Sequence, residues 1–116
     1  MTTHKKIVQE GTLGQRVSHG NAIRLSWRLR NRKTREIVET SKDEAGDRFV
    51  VNDPNSWLYQ FIGHKVETSL MIKMDRNKNL VDKGEYMMTA VILNVSQDDK
   101  SDIKSFDSQL NLQTKE

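Results

Sequence analysis

Along "AIRLSWRLR", apolar and polar residues alternate strictly. Ile23, Leu25, Trp27 and Leu29 fall on one side, and Arg24, Ser26, Arg28 and Arg30 on the other. A period of two predicts a half-buried antiparallel strand. "NRKT" reads as the turn after it and "REIVET" as the returning strand of a hairpin. The same period sets Leu70, Ile72 and Met74 against Ser69, Met71 and Lys73. "YMMTAVILNV" is apolar almost throughout, with Met87, Thr89, Val91, Leu93 and Val95 on one face and Tyr86, Met88, Ala90 and Ile92 on the other. Its β-branched content predicts a central strand covered on both sides. "KKIVQEG", ended by Gly11, and "RFVV" are shorter strand candidates. "GQRVSHGN", "SKDEAGD" and "DRNKNLVDKGE" read as loops.

One segment departs from the alternation. In "NDPNSWLYQFIG", Trp57 and Phe61 stand four apart, as do Leu58 and Ile62, which is helical spacing. Asp53 fits the cap, Pro54 the first helical position and Gly63 the left-handed residue that ends the helix. A helix this short is unstable alone and must pack on a sheet. The expected fold is α+β: five or six antiparallel strands with one short helix.

A chain of 116 residues predicts a single domain, placed at 1–96. The remainder, 97–116, is polar with isolated apolar residues (Ile103, Phe106, Leu110, Leu112), and disorder is the expectation there, with a short docking helix through Ile103 and Phe106 as the alternative. The whole chain holds 19 basic and 16 acidic residues; three and five of these lie in the tail, leaving a body of net +5. There is no cysteine, which excludes disulfides, thiol nucleophiles and thiolate metal sites. No apolar run reaches membrane-span length, and the N-terminus lacks a signal-peptide core, so no membrane association and a cytoplasmic location are expected.

Candidate chemistry is sparse. His4, His19 and His64 have no metal-ligand spacing and read as loop residues. Ser26, Ser41, Ser56 and Ser69 sit in no nucleophile elbow, and the six glycines form no phosphate-cradling loop. Glu36, Glu39, Asp43, Glu44 and Asp47 cluster in polar surroundings that suit solvated carboxylates. No metal or cofactor is therefore expected. A basic run stands out: Arg24, Arg28, Arg30, Arg32, Lys33 and Arg35, with no acid among residues 24 to 35. It suits an acidic surface or a phosphate backbone, or else a solvated face that guards a sheet edge. A nucleic-acid partner is disfavoured, because Trp27 points away from the charge. Trp27, Phe49 and Trp57 belong to elements that should meet beneath the helix, as core or as the lining of a site.

The order of these elements resembles the FKBP-type peptidyl-prolyl cis-trans isomerases over roughly residues 5 to 95. "KKIVQEGTLGQRVSHGNAIRLSWRLRNRKTREIVETS" is similar to the opening of that family. "WLYQFIGHKVETSLMIKM" is similar to its helix and following strand, and "EYMMTAVILNV" to its last strand. The resemblance implies an FKBP-like fold, a curved antiparallel sheet packed on one short helix. It also implies a protein-folding activity (rotamase) on proline-containing peptides or protein clients. Such catalysis needs no nucleophile: a dry aromatic hollow disfavours the dipolar form of the amide and lowers its rotation barrier of roughly 18–20 kcal/mol. Carried over, Trp57 matches the aromatic floor and Trp27 stands where a tyrosine is usual. Glu39 falls at the pocket aspartate, and Phe49 matches the aromatic of the strand before the helix. Val38, Pro54 and Met88 take substrate-binding positions. Pro54 and Asp53 replace a Val-Ile pair, and the loop before the last strand is shortened. The implied pocket is degenerate and the implied activity weak.

"GQRVSHGNAIRL", "KDEAGDRFVVND" and "FIGHKV" also resemble the C-terminal domain of Gre-type transcript-cleavage factors. That resemblance implies a non-catalytic interaction domain docking on an acidic partner such as RNA polymerase, with Arg24, Arg28 and Arg30 as the contact residues. A third expectation is a small basic protein whose hollow is filled by Trp27.

Overall fold

The computed structural model describes residues 5–97; the expectations for the tail beyond them lie outside the described residues. Six strands form one antiparallel sheet: β1 (Lys5–Gln9), β2 (Ala22–Asn31), β3 (Ile37–Thr40), β4 (Asp47–Val50), β5 (Ser69–Met74) and β6 (Tyr86–Ser96). The order across the sheet is β1-β5-β6-β2-β3, with β4 also pairing with β2. One side of β2 is therefore paired with β6 along its length. The other side is shared by β4, from Ala22 to Leu25, and β3, from Arg28 to Arg30. The strand with the clearest alternation lies in the interior of the sheet.

The alternation resolves as the sequence predicts. Leu25, Leu29, Leu70, Ile72, Met74, Met88 and Ile92 have no exposed surface, and all point to one face. Val17, Val51, Trp57 and Phe61 close that face from the loops and the short helix. Gly63 has φ +88°, the left-handed stop expected of it, and its amide donates to the Val17 carbonyl at 2.8 Å. Gly11 is required for a different reason: a Cβ there would meet the Val66 carbonyl oxygen at 1.9 Å.

Two expectations are corrected. The helix is a 3₁₀ helix, Trp57–Phe61, capped by Ser56, whose hydroxyl accepts from the Leu58 amide. Asp53 instead closes the preceding turn, its carboxylate accepting from Asn55 N at 2.9 Å, and Pro54 sits exposed in that turn. So short a stretch between Ser56 and the bridge at Gly63 favours the tighter winding. The second correction concerns β6, which is covered on its inner face only; Thr89 and Leu93 are exposed on the other. The pairing steps from Arg24↔Asn94 to Leu25↔Ile92, leaving Leu93 as the extra residue of a bulge. Beyond the bulge the phase reverses, and Val95 packs on the core opposite Ile23 rather than sharing a face with Val91. With five residues in a 3₁₀ helix and six strands, the described residues form a small antiparallel sheet with almost no helix. None of its helices is long and apolar enough to cross a membrane.

Candidate functional site

The two faces of the sheet offer different candidate sites. On the inner side, the residues assigned to a prolyl pocket separate into two groups. Phe49 stands edge-on to Trp57 with ring centroids 5.5 Å apart, and Trp57 edge-on to Phe61 at 6.2 Å. Trp27 belongs to the other group. Its Nε1 donates to Asp47 Oδ2 at 3.0 Å, and Lys78 Nζ lies 5.3 Å from its ring centroid, a cation–π contact. Lys78 also donates to Glu39 Oε1 at 3.0 Å, as does Arg76 at 3.1 Å. The Lys78 hydrogen bond, followed by the charges of Lys78 and Arg76, holds the Glu39 carboxyl below its ordinary pKa. Trp27 and Glu39 are thus brought together, with Lys78 from the β5–β6 loop between them.

Burial decides how much of this lining a ligand can touch. Trp27 is 6% exposed and Trp57 8%. Met88 is wholly buried between its register partners Leu29 and Ile72. Val38 and Phe49 are half-buried against the core, Val38 as the extra residue where the β2–β3 register shifts. Among the hollows that open on the described surface, four have volumes of about 290, 200, 350 and 580 Å³, and none of these four is lined by Trp27, Glu39, Phe49 or Trp57.

On the outer side lie the arginines. Register places Lys6, Met71, Thr89, Arg28 and Thr40 in one row across the sheet and Lys73, Met87, Arg30 and Ile37 in the next. A further row pairs Asn94, Arg24 and Arg48. No aspartate or glutamate occupies an outward position on the described strands. Arg24 is engaged, donating to the carbonyls of Ala45 and Gly46 at 3.5 and 3.2 Å. Arg32 donates to the Gly84 carbonyl at 2.8 Å. The side chains of Arg28, Arg30 and Arg35 have no hydrogen bond or ion pair to a described residue. The sequence-based alternative of an edge guard does not apply to Arg28 and Arg30, because β2 is paired on both sides.

A third cluster was invisible in the sequence. His64, expected to be a plain loop residue, is buried, with Nδ1 2.9 Å from Glu10 Oε2 and Nε2 2.9 Å from Lys5 Nζ. An ammonium group only donates, so Nε2 accepts and Nδ1 carries the proton given to Glu10. Lys5 also donates to the Gln60 carbonyl at 2.9 Å, and Thr68 Oγ1 accepts from Gly11 N at 2.9 Å. The cluster ties β1 to the segment after the 3₁₀ helix. The hydrogen bonds within it join residues 54 to 59 positions apart, so no local spacing announces it. Among the described residues, no group of histidines and carboxylates is arranged to hold a metal.

Comparison with protein families and with curated proteins finds no match to this chain.

Proposed function

We propose that the chain is a non-catalytic protein-interaction domain with an FKBP-like architecture, docking on an acidic protein partner through the outer face of its sheet. One observation carries this: Arg28 and Arg30 stand two residues apart on an interior strand, their side chains without a partner among the described residues, on a face where the described strands place cations and no acids. Holding like charges together with no counter-ion is unfavourable within the fold, and an acidic partner relieves it. The Gre-type resemblance points the same way, toward a partner such as RNA polymerase. The FKBP-like architecture draws its support from the order of the elements, with one short helical segment between β4 and β5 set against the inner face of an antiparallel sheet.

The test uses poly-L-glutamate as a charge-only probe. The native chain binds it, and binding weakens steadily with added salt. Arg28→Glu combined with Arg30→Glu reduces affinity by roughly tenfold or more. Salt-independent binding, or an undiminished double variant, overturns the docking function.

A second function, isomerisation of Xaa-Pro bonds, is favoured by the edge-to-face pair Phe49–Trp57 and by the meeting of Trp27 with Glu39. It requires the cover over Trp27 to open. A protease-coupled assay on a proline peptide reads it directly: an isomerase loses its acceleration in Trp57→Ala and in Glu39→Ala, whereas an interaction domain shows no acceleration to lose.

A further inference from the structure

The outer face is more than a patch of charge. Two hollows open on it, about 290 and 200 Å³, and they share Arg30 and Thr89. The first is lined by Arg28, Ser69 and Val91, and the second by Arg35, Met71 and Met87. Adjoining at Arg30 and Thr89, they follow β6 from Val91 to Met87 as a trough in two parts, a span of roughly 13 Å at strand rise. The arginines of β2 and of the turn after it stand along one side, and Ser69 and Met71 of β5 along the other. Methionine and valine line the floor, and methionine adapts its shape to what it meets.

From this juxtaposition we infer that the trough takes an acidic segment carrying apolar anchors: apolar side chains seat on Val91, Met71 and Met87, while flanking carboxylates meet Arg28, Arg30 and Arg35. The inference rests on the docking function proposed above and names its ligand. Guanidinium forks suit carboxylates, which they bind with two parallel hydrogen bonds. The apolar floor separates the possible polyanions. A phosphate backbone has nothing to place on methionines, and single-stranded nucleic acid would want aromatic platforms. Outward positions on the described strands carry no aromatic residue: Trp27, Phe49 and Tyr86 pair in register with Ala90, Ile23 and Met74 on the inner side. An acidic-apolar peptide uses both parts of the trough.

Three fluorescent probes test the inference by anisotropy at one ionic strength: a short peptide alternating glutamate and leucine, the same peptide with serine for leucine, and a single-stranded oligonucleotide. The leucine peptide should bind at least about tenfold more tightly than the serine peptide. Met71→Ser with Met87→Ser should erase that difference while leaving the serine peptide's salt-dependent binding unchanged. Because Met71 and Met87 are half-buried, Met87→Gln alone, with a thermal melt, separates loss of the floor from loss of the fold. Equal binding of the two peptides overturns the apolar-anchor inference and leaves the docking function standing. Tighter binding of the oligonucleotide overturns it in favour of a phosphate partner. Failure of both peptides to bind overturns the docking function itself.

Discussion

The two faces of this sheet are built by the same strands and obey opposite rules. On the inner face, Leu25, Leu29, Leu70, Ile72, Met88 and Ile92 leave no surface to solvent, and every neighbour constrains the next. On the outer face, the alternate residues of the same strands are Arg28, Arg30, Ser69, Met71, Thr89 and Val91, half-buried or exposed, with both arginines unpaired. A period of two writes both faces at once. Burial fixes the first, and the second stays open to solvent. The same division explains the fate of the candidate residues: Trp27 and Met88 on the inner face were absorbed into packing, while Arg28 and Arg30 on the outer face have side-chain donors with no partner among the described residues.

The sharpest break in this comparison is a truncation on each side. Phe61→Ala, at a site with no exposed surface, should destabilise by about 3–5 kcal/mol through lost burial and the cavity it leaves. Met87→Ala on the outer face should cost well under half of that. Urea midpoints for the two variants check this, and comparable losses would dissolve the distinction between the faces. Next in size, Trp27→Phe keeps an aromatic ring but removes both the bond to Asp47 and part of the buried indole, and should cost about 1–3 kcal/mol in the same measurement.

Acid and alkali sharpen the comparison from the titrating groups around the core. The hydrogen bond from His64 does most to hold Glu10 below its ordinary pKa, as that from Lys78 does for Glu39. A carboxyl depressed in the folded state binds fewer protons there than in the unfolded chain. Its contribution is complete above the unfolded value, about 4.3, and is lost as pH falls through the folded one. Lys5 behaves in the opposite limb. Burial lowers its pKa against the opposing pull of Glu10, so the folded chain gives up that proton first. Stability then rises with pH between the folded value and about 10.4. Thermal melts across pH should show the acid loss shrink in Glu10→Gln and the alkaline rise vanish in Lys5→Met. The smallest stability effect belongs to the outer face: Arg28→Glu with Arg30→Glu should change stability by no more than about 0.5 kcal/mol while weakening poly-L-glutamate binding by roughly tenfold or more.

Much of the fold was legible because its signals are local. The inward residues of β2 and β5 could be named from alternation, and Gly63 from its place after an apolar run. The errors arose where a partner intervenes. Asp53 and Pro54 are good helix-start chemistry, yet Asp53 closes a turn and Ser56 takes the cap, because the bridge from Gly63 to Val17 leaves room for only a short, tight winding. The bulge at Leu93 exists only relative to β2, so the sequence of β6 alone assigned Val95 to the wrong face. The Lys5–His64–Glu10 cluster had no sequence signal beyond the presence of a histidine near a glycine stop.

Which residues alternate, where the turns fall and that arginines share one side of β2 all follow from spacing and backbone preference over a few residues. Tertiary contacts settled which of those arginines find partners within the fold. Strand order put β2 inside the sheet rather than at its edge. Contacts from loops 22 and 52 residues away engaged Arg24 and Arg32 on carbonyl oxygens and passed over Arg28 and Arg30. Hydrogen bonds between such distant segments depend on which strands become neighbours, and no local pattern along the chain carries that information.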